Sequence, residues 1–225
     1  MGEVISLAKA RAERSGPREA GRSAATGAAT FYFALDCPLS YVTAERIERV
    51  LGEIRWVPVL ATPPADAGPS TRQSERVRGA WSRLARAEHE ARVLDMPIVE
   101  PSRYPFDARP ISRAAIWATE HGAGPQFAMA ALRLAFCGGY DLSRPGVIGE
   151  AAASACLRVG AALGAAGEPR YDLQLDSVSR GLSLHGVSIP AIQIGNRWFE
   201  GVDAVNAAAP RAVPVDEDAL PLDAG

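Results

Sequence analysis

Lysine is almost missing from this chain: Lys9 stands alone among 24 basic residues, the others being arginine. Schiff-base chemistry is thereby left without a candidate outside the first residues. An excess of charge of one sign is missing too, since 24 basic side chains meet 26 acidic ones for a formal charge of −2. The arginines are scattered rather than clustered, so no electrostatic footprint for nucleic acid follows. Long apolar runs are also lacking. The longest, around residues 127–137, is interrupted by Arg133 and falls short of the roughly 20 residues a membrane span requires. The first 29 residues hold no apolar run of secretory length. The expectation is a soluble, cytoplasmic protein with no nucleic-acid and no membrane partner. Only three cysteines are present, Cys37, Cys137 and Cys156, in no paired spacing, which excludes a disulfide framework and a four-thiolate metal site. Any sulfur chemistry involves one thiol at a time. His89, His121 and His185 show no ligand spacing, and there is no Walker loop, no His-Glu-x-x-His and no Gly-x-Gly-x-x-Gly after a strand. Neither a metal nor a nucleotide is expected.

What is there is ordinary globular composition, 48% hydrophobic and 22% charged, enough to bury about 70% of the unfolded surface. Residues 1–29, rich in Ala, Gly, Ser and Arg with only a short helical pattern at 4–14, read as a mobile extension, as do residues 211–225. The region between opens with an aromatic strand, Thr30-Phe31-Tyr32-Phe33-Ala34-Leu35, that meets the turn Asp36-Cys37-Pro38. A helix follows from Pro38. Tyr41, Ala44, Ile47 and Leu51 recur at helical spacing, Glu45, Arg46, Glu48 and Arg49 occupy the other face, and Gly52 is the stop. Residues 54–60 read as a second strand, in which Pro58 points to an edge or late position. After a turn-rich loop at 62–70 comes a charged, exposed helix at 72–94. Pro97, Pro101, Pro105 and Pro110 then lead into helices at 112–121, 126–137 and 146–159. A helix from Pro169 aligns Tyr171, Leu175, Val178 and Leu182 and ends at Gly186. A strand at 188–194, a Gly195-Asn196 turn and a returning strand at 197–200 close the pattern. The order is β–α–β, a helical insert, then α–β–β.

The residue with the most chemistry in this pattern is Cys37. A cysteine at a helix start faces unpaired N–H groups and the positive end of the helix dipole, which favour thiolate and lower the pKa below the usual value of about 8.5. An open, reactive sulfur or an anion site is the expectation. Cys137 and Cys156 sit on apolar helical faces and read as core, and Trp81, Trp117 and Trp198 read as packing. Ser40, one turn after Cys37, stands where a dithiol enzyme has its resolving cysteine, so no disulfide closes within this turn.

Several segments in this order are similar to one enzyme family. Phe31–Tyr41 with Cys37-Pro38-Leu39-Ser40, the stretch Met96-Pro97, Pro101, Tyr104-Pro105-Phe106, Arg113-Ala114, the turn Gly186-Val187-Ser188-Ile189-Pro190-Ala191 and the ending Phe199-Glu200-Gly201-Val202-Asp203 resemble the 2-hydroxychromene-2-carboxylate isomerases and kappa-class glutathione transferases. These belong to the DsbA-like branch of the thioredoxin fold, and the likeness spans about residues 30–208. It implies an α/β fold with a thioredoxin-like βαβ…αββ core at 30–66 and 168–210 and an all-helical insertion at 67–167. It also implies a glutathione-dependent isomerase or transferase acting on a small electrophilic substrate, aromatic or unsaturated, with glutathione or another low-molecular-weight thiol as co-reactant, and a homodimer formed through the insert. By the same resemblance Cys37 and Ser40 are catalytic, and Pro38, Ile189 and a cis Pro190 bind the extended tripeptide. Asp203 binds its γ-glutamyl amino group, and Val202 stands where a small polar residue would hold the γ-glutamyl carboxylate. Tyr104, Phe106 and Asp107 are candidates for the acceptor pocket. Two other functions stay open from the sequence: a DsbA-like monothiol oxidoreductase exchanging through Cys37, and a non-catalytic thioredoxin-fold binding protein.

Overall fold

A computed structural model of the chain describes residues 29–61 and 69–212. The extensions expected at 1–29 and 211–225, the short helix at 4–14 and the loop at 62–70 lie largely outside those residues. Four strands, β1 (Thr30–Phe33), β2 (Arg55–Pro58), β3 (Ala191–Ile194) and β4 (Arg197–Glu200), form one sheet in the order β2-β1-β3-β4. β1 pairs parallel with β2 and antiparallel with β3, and β3 pairs antiparallel with β4. Pro58, which cannot donate to a ladder, falls at the end of an edge strand, where that loss costs nothing. Phe31 and Phe33 are buried and stack at 5.5 Å, with Trp56 set edge-on to Phe31 at 5.0 Å. Tyr32, which alternation sends to the opposite face, packs on Trp198 at 5.3 Å.

Eight helices accompany the sheet among the described residues: α1 (Pro38–Leu51), α2 (Pro69–Val93), α3 (Arg109–Glu120), α4 (Gly124–Phe136), α5 (Pro145–Ser154), α6 (Val159–Ala166), α7 (Arg170–Leu184) and α8 (Ala204–Ala212). Pro at the first turn starts α1, α3, α4 and α5, and Gly52, at φ +66°, closes α1. The central helix α1 packs on α2, α4 and α8, while α8 also covers β3 and β4. The single helix expected at 146–159 is two: α5 ends at Ser154, Cys156 takes φ +58°, and α6 begins at Val159. Packing accompanies the break: α5 packs on α4 and α6 on α3, with Ala151, Ala152 and Ala162 fully buried. No helix among the described residues is long and apolar enough to cross a membrane.

Candidate functional site

Cys37 is the N-cap residue of α1, with extended backbone (φ −112°, ψ 108°) and Pro38 next in the chain. The turn is held from within. Cys37 N–H donates to Ala34 O at 3.1 Å, Ser40 N–H donates to Cys37 O at 2.9 Å, and Ser40 Oγ accepts from Ala34 N–H at 3.1 Å. Ser40 is fully buried and so fixes the turn in place of the missing second cysteine. Across from it the Ile189–Pro190 peptide bond is cis, and the Ile189 carbonyl lies 4.0 Å from Cys37 Sγ. Gly201 N–H donates to Pro190 O at 2.8 Å, which ties the turn before α8 to the same place. Residues 37, 40, 189 and 190, far apart in sequence, therefore meet.

The sulfur is not open. Cys37 is 0% exposed, and its thiol is pushed up rather than down. Burial is the largest cause; the Arg83 charge, the Ser40 N–H and the Ser40 hydroxyl pull the other way, and Asp36 adds to the rise. Magnitudes explain the outcome. A helix N-terminus stabilises a nearby anion by about 0.3–1 kcal/mol at a surface, whereas full burial of an ionisable group shifts it by up to about 3–5 pH units. The expectation of an accessible thiolate is thus corrected: the turn presents a neutral thiol.

Around it lies a cluster that the sequence did not announce. Asp36 is raised above the ordinary carboxylate range, chiefly by burial, with Arg83 and Arg76 opposing. Asp36 Oδ1 and Arg83 Nε are both shut from solvent with no hydrogen-bond partner. The Tyr104 hydroxyl donates to the Asp36 and Ala80 carbonyls, each at 3.2 Å, and its ionisation is pushed up by burial first and then by Cys37 and Asp36. Arg83 and Arg86 of α2 line a cavity of about 320 Å³ that Leu39, Leu60 and Ile189 also line. The sequence did carry a signal for Arg83. Ala80, Leu84, Ala87 and Ala91 form the buried stripe of α2, and position 83 flanks it. Asp36 was equally legible as an acid interrupting an apolar strand-to-helix passage.

The other named residues divide. Pro38 and Pro190 are buried at the turn. Val202 is buried, and its carbonyl accepts from Arg46 Nη1 at 3.0 Å. Asp203 is exposed on the residue before α8. Of the three acceptor-pocket candidates only Tyr104 touches the turn. Phe106 is buried against Tyr104 at 6.1 Å, and Asp107 is exposed and accepts from Arg109 N–H at 3.0 Å, fixing the start of α3. Cys137 and Cys156 are not core residues. Cys137 is half-buried on the wall of a separate cavity, with Sγ 2.9 Å from the Tyr41 hydroxyl, and Cys156 is exposed. Trp81 is 40% exposed, edge-on to Tyr104 at 5.5 Å, and so rims the site rather than filling a core.

Neither a protein-family profile nor a curated sequence matches the chain. Solved structures do. A 2-hydroxychromene-2-carboxylate isomerase aligns with TM-score 0.60 and 14% identity over 80% of this chain and 91% of its own. A probable DsbA oxidoreductase from Streptomyces coelicolor aligns with TM-score 0.60 and 14% identity over 88% and 93%. The cytosolic disulfide reductase DsbM from Pseudomonas aeruginosa, solved with GSH, aligns with TM-score 0.57 and 15% identity over 81% and 92%. At such identities the likeness is one of fold, and the fold is the DsbA-like thioredoxin fold.

Proposed function

We propose that this chain is a glutathione-dependent enzyme of the isomerase or transferase kind, which holds the thiolate of a bound low-molecular-weight thiol beside Cys37 and directs it at a small electrophile. The observation that carries the reading is that Cys37 is a buried, neutral thiol at a helix start, flanked through Leu39 and Ile189 by a cavity with cationic walls. Once a bound thiol has uncovered the turn, a neutral Cys37 S–H can swing from the Ile189 carbonyl, 4.0 Å away, and donate a hydrogen bond to the neighbouring thiolate, as a serine hydroxyl does. Thiolate adds to an electron-poor double bond, the bond that has become single rotates, and expulsion of the same thiolate restores the double bond. No oxidant is consumed, and the protein supplies orientation and charge stabilisation. That the fold is shared with an isomerase and with a reductase solved with GSH supports the reading.

Thiol–disulfide exchange through Cys37 is the second reading, and it asks more of the site: the sulfur has to be not only uncovered but ionised, against the upward push of burial. The test is the pH dependence of Cys37 alkylation in a Cys137→Ser/Cys156→Ser background, with and without glutathione. The expected result is slow alkylation at neutral pH, rising only above the ordinary thiol range and slowed further by glutathione. Rapid alkylation at neutral pH that glutathione leaves unchanged would overturn the proposal.

A further inference from the structure

We propose that the cavity beside the Cys37 turn is an anion-recognition pocket in which Arg83 and Arg86 of α2 take a carboxylate, or a comparable oxyanion, of a small ligand. Among the described residues, the walls of this space of about 320 Å³ contribute two charged side chains, both arginine, and no acid. Like charges gathered in a concavity focus their field on whatever enters it. The polar remainder is serine, and Ser179 is already committed, accepting from Leu60 N–H at 2.9 Å and donating to Leu175 O at 2.6 Å. Arg83 has an unmet need. Its Nε is closed off from solvent and finds no hydrogen-bond partner among the described residues, so the guanidinium is not fully satisfied. Asp36 lies within reach of the Arg83 charge, yet Asp36 Oδ1 is itself without a hydrogen-bond partner and the two form no ion pair.

Arg86 is brought in from the other side. A Cβ on Gly201 would stand 3.4 Å from Arg86 Nη2, so its guanidinium lies against the turn whose Gly201 N–H donates to Pro190 O. Arg83 and Arg86, one helical turn apart on α2, thus bring two guanidinium-bearing side chains to the same cavity, a pairing suited to planar oxyanions. The proposal rests on the thiol-dependent reading for the rest of the ligand, but the charge recognition can be tested without any thiol.

The probe is S-methylglutathione, which keeps both carboxylates and has no free S–H, compared with its diethyl ester by titration calorimetry. The unaltered protein is expected to bind the diacid at least tenfold more tightly than the ester, and Arg83→Gln and Arg86→Gln are each expected to weaken diacid binding tenfold or more while leaving the ester unchanged. Equal affinity for diacid and ester, absence of diacid binding at millimolar concentration, or wild-type affinity in both variants overturns the proposal. If circular dichroism shows that a variant does not fold, the diacid and ester comparison on the unaltered protein decides. Diacid binding together with a Cys37 that glutathione does not protect would refute the enzymatic reading and leave the pocket standing.

Discussion

At residue 37 two effects of opposite sign meet. The helix start favours negative charge on sulfur, and removal from water disfavours it; the second wins because the side chain is completely enclosed. A neutral thiol that acts by donating a hydrogen bond is replaceable by another short donor. Cys37→Ser is therefore expected to retain the fraction of bound glutathione that is thiolate, read by its ultraviolet absorbance, whereas Cys37→Ala lowers it about tenfold, the equivalent of about one lost hydrogen bond. A nucleophilic Cys37 predicts the reverse pattern for serine, with function lost in both variants. Ser40 shows the same economy of small donors: one hydroxyl receives Ala34 N–H and faces the sulfur.

Among the elements, α3 and α7 are joined by a network of charged side chains. Arg113 meets Asp172 through Nη2 at 2.6 Å and Nε at 2.9 Å, and Arg109 reaches Asp172 at 3.0 Å and Asp176 at 2.9 Å. Asp172 is held below the ordinary carboxylate range, first by its bonds to Arg113 and then by those to Arg109. A depressed folded-state value contributes stability that is present above the unfolded value of about 3.9 and lost as pH falls through the folded one. With a quarter of the Asp172 side chain exposed, screening limits the effect, and Asp172→Asn is expected to cost about 1 kcal/mol at pH 7. Urea denaturation at pH 7 and pH 3 checks this: the difference between wild type and variant shrinks at the lower pH, and a difference that grew there would contradict it. The division of the stretch at 146–159 into α5 and α6 belongs to the same scale. Its composition reads as one helix, and the tertiary arrangement breaks it at Cys156, where α5 packs on α4 and α6 on α3.

Over the whole molecule, two tyrosines connect the sheet side to the helical side. Tyr41 of α1 stacks on Phe136 of α4 at 6.2 Å and donates to Pro97 O at 3.0 Å, while Tyr104 closes over the Cys37 turn from the segment before α3. Both connections are buried, so loss of the helical part would uncover the turn. Urea unfolding followed by circular dichroism and by accessibility of Cys37 to alkylation is expected to give coincident midpoints. Exposure of Cys37 at clearly lower urea would show that the turn opens independently.

The sequence by itself determined the element order, because helix starts, stops and alternating strand faces are local: Pro38, Gly52, the stripe of Tyr41, Ala44 and Ile47, and the Gly195-Asn196 turn each act within a few residues. Cys37 stands out by its place at a helix start, and the family resemblance singled out Ser40, Ile189 and Pro190; the structure brings the four to one place. What only the tertiary structure decided is the state of that place. Solvent access to a sulfur, the partners of Asp36 and the direction in which Arg83 and Arg86 face depend on how α2 and the segment around Tyr104 close over the turn. That closure involves residues some fifty positions away, and no local pattern encodes the water it removes.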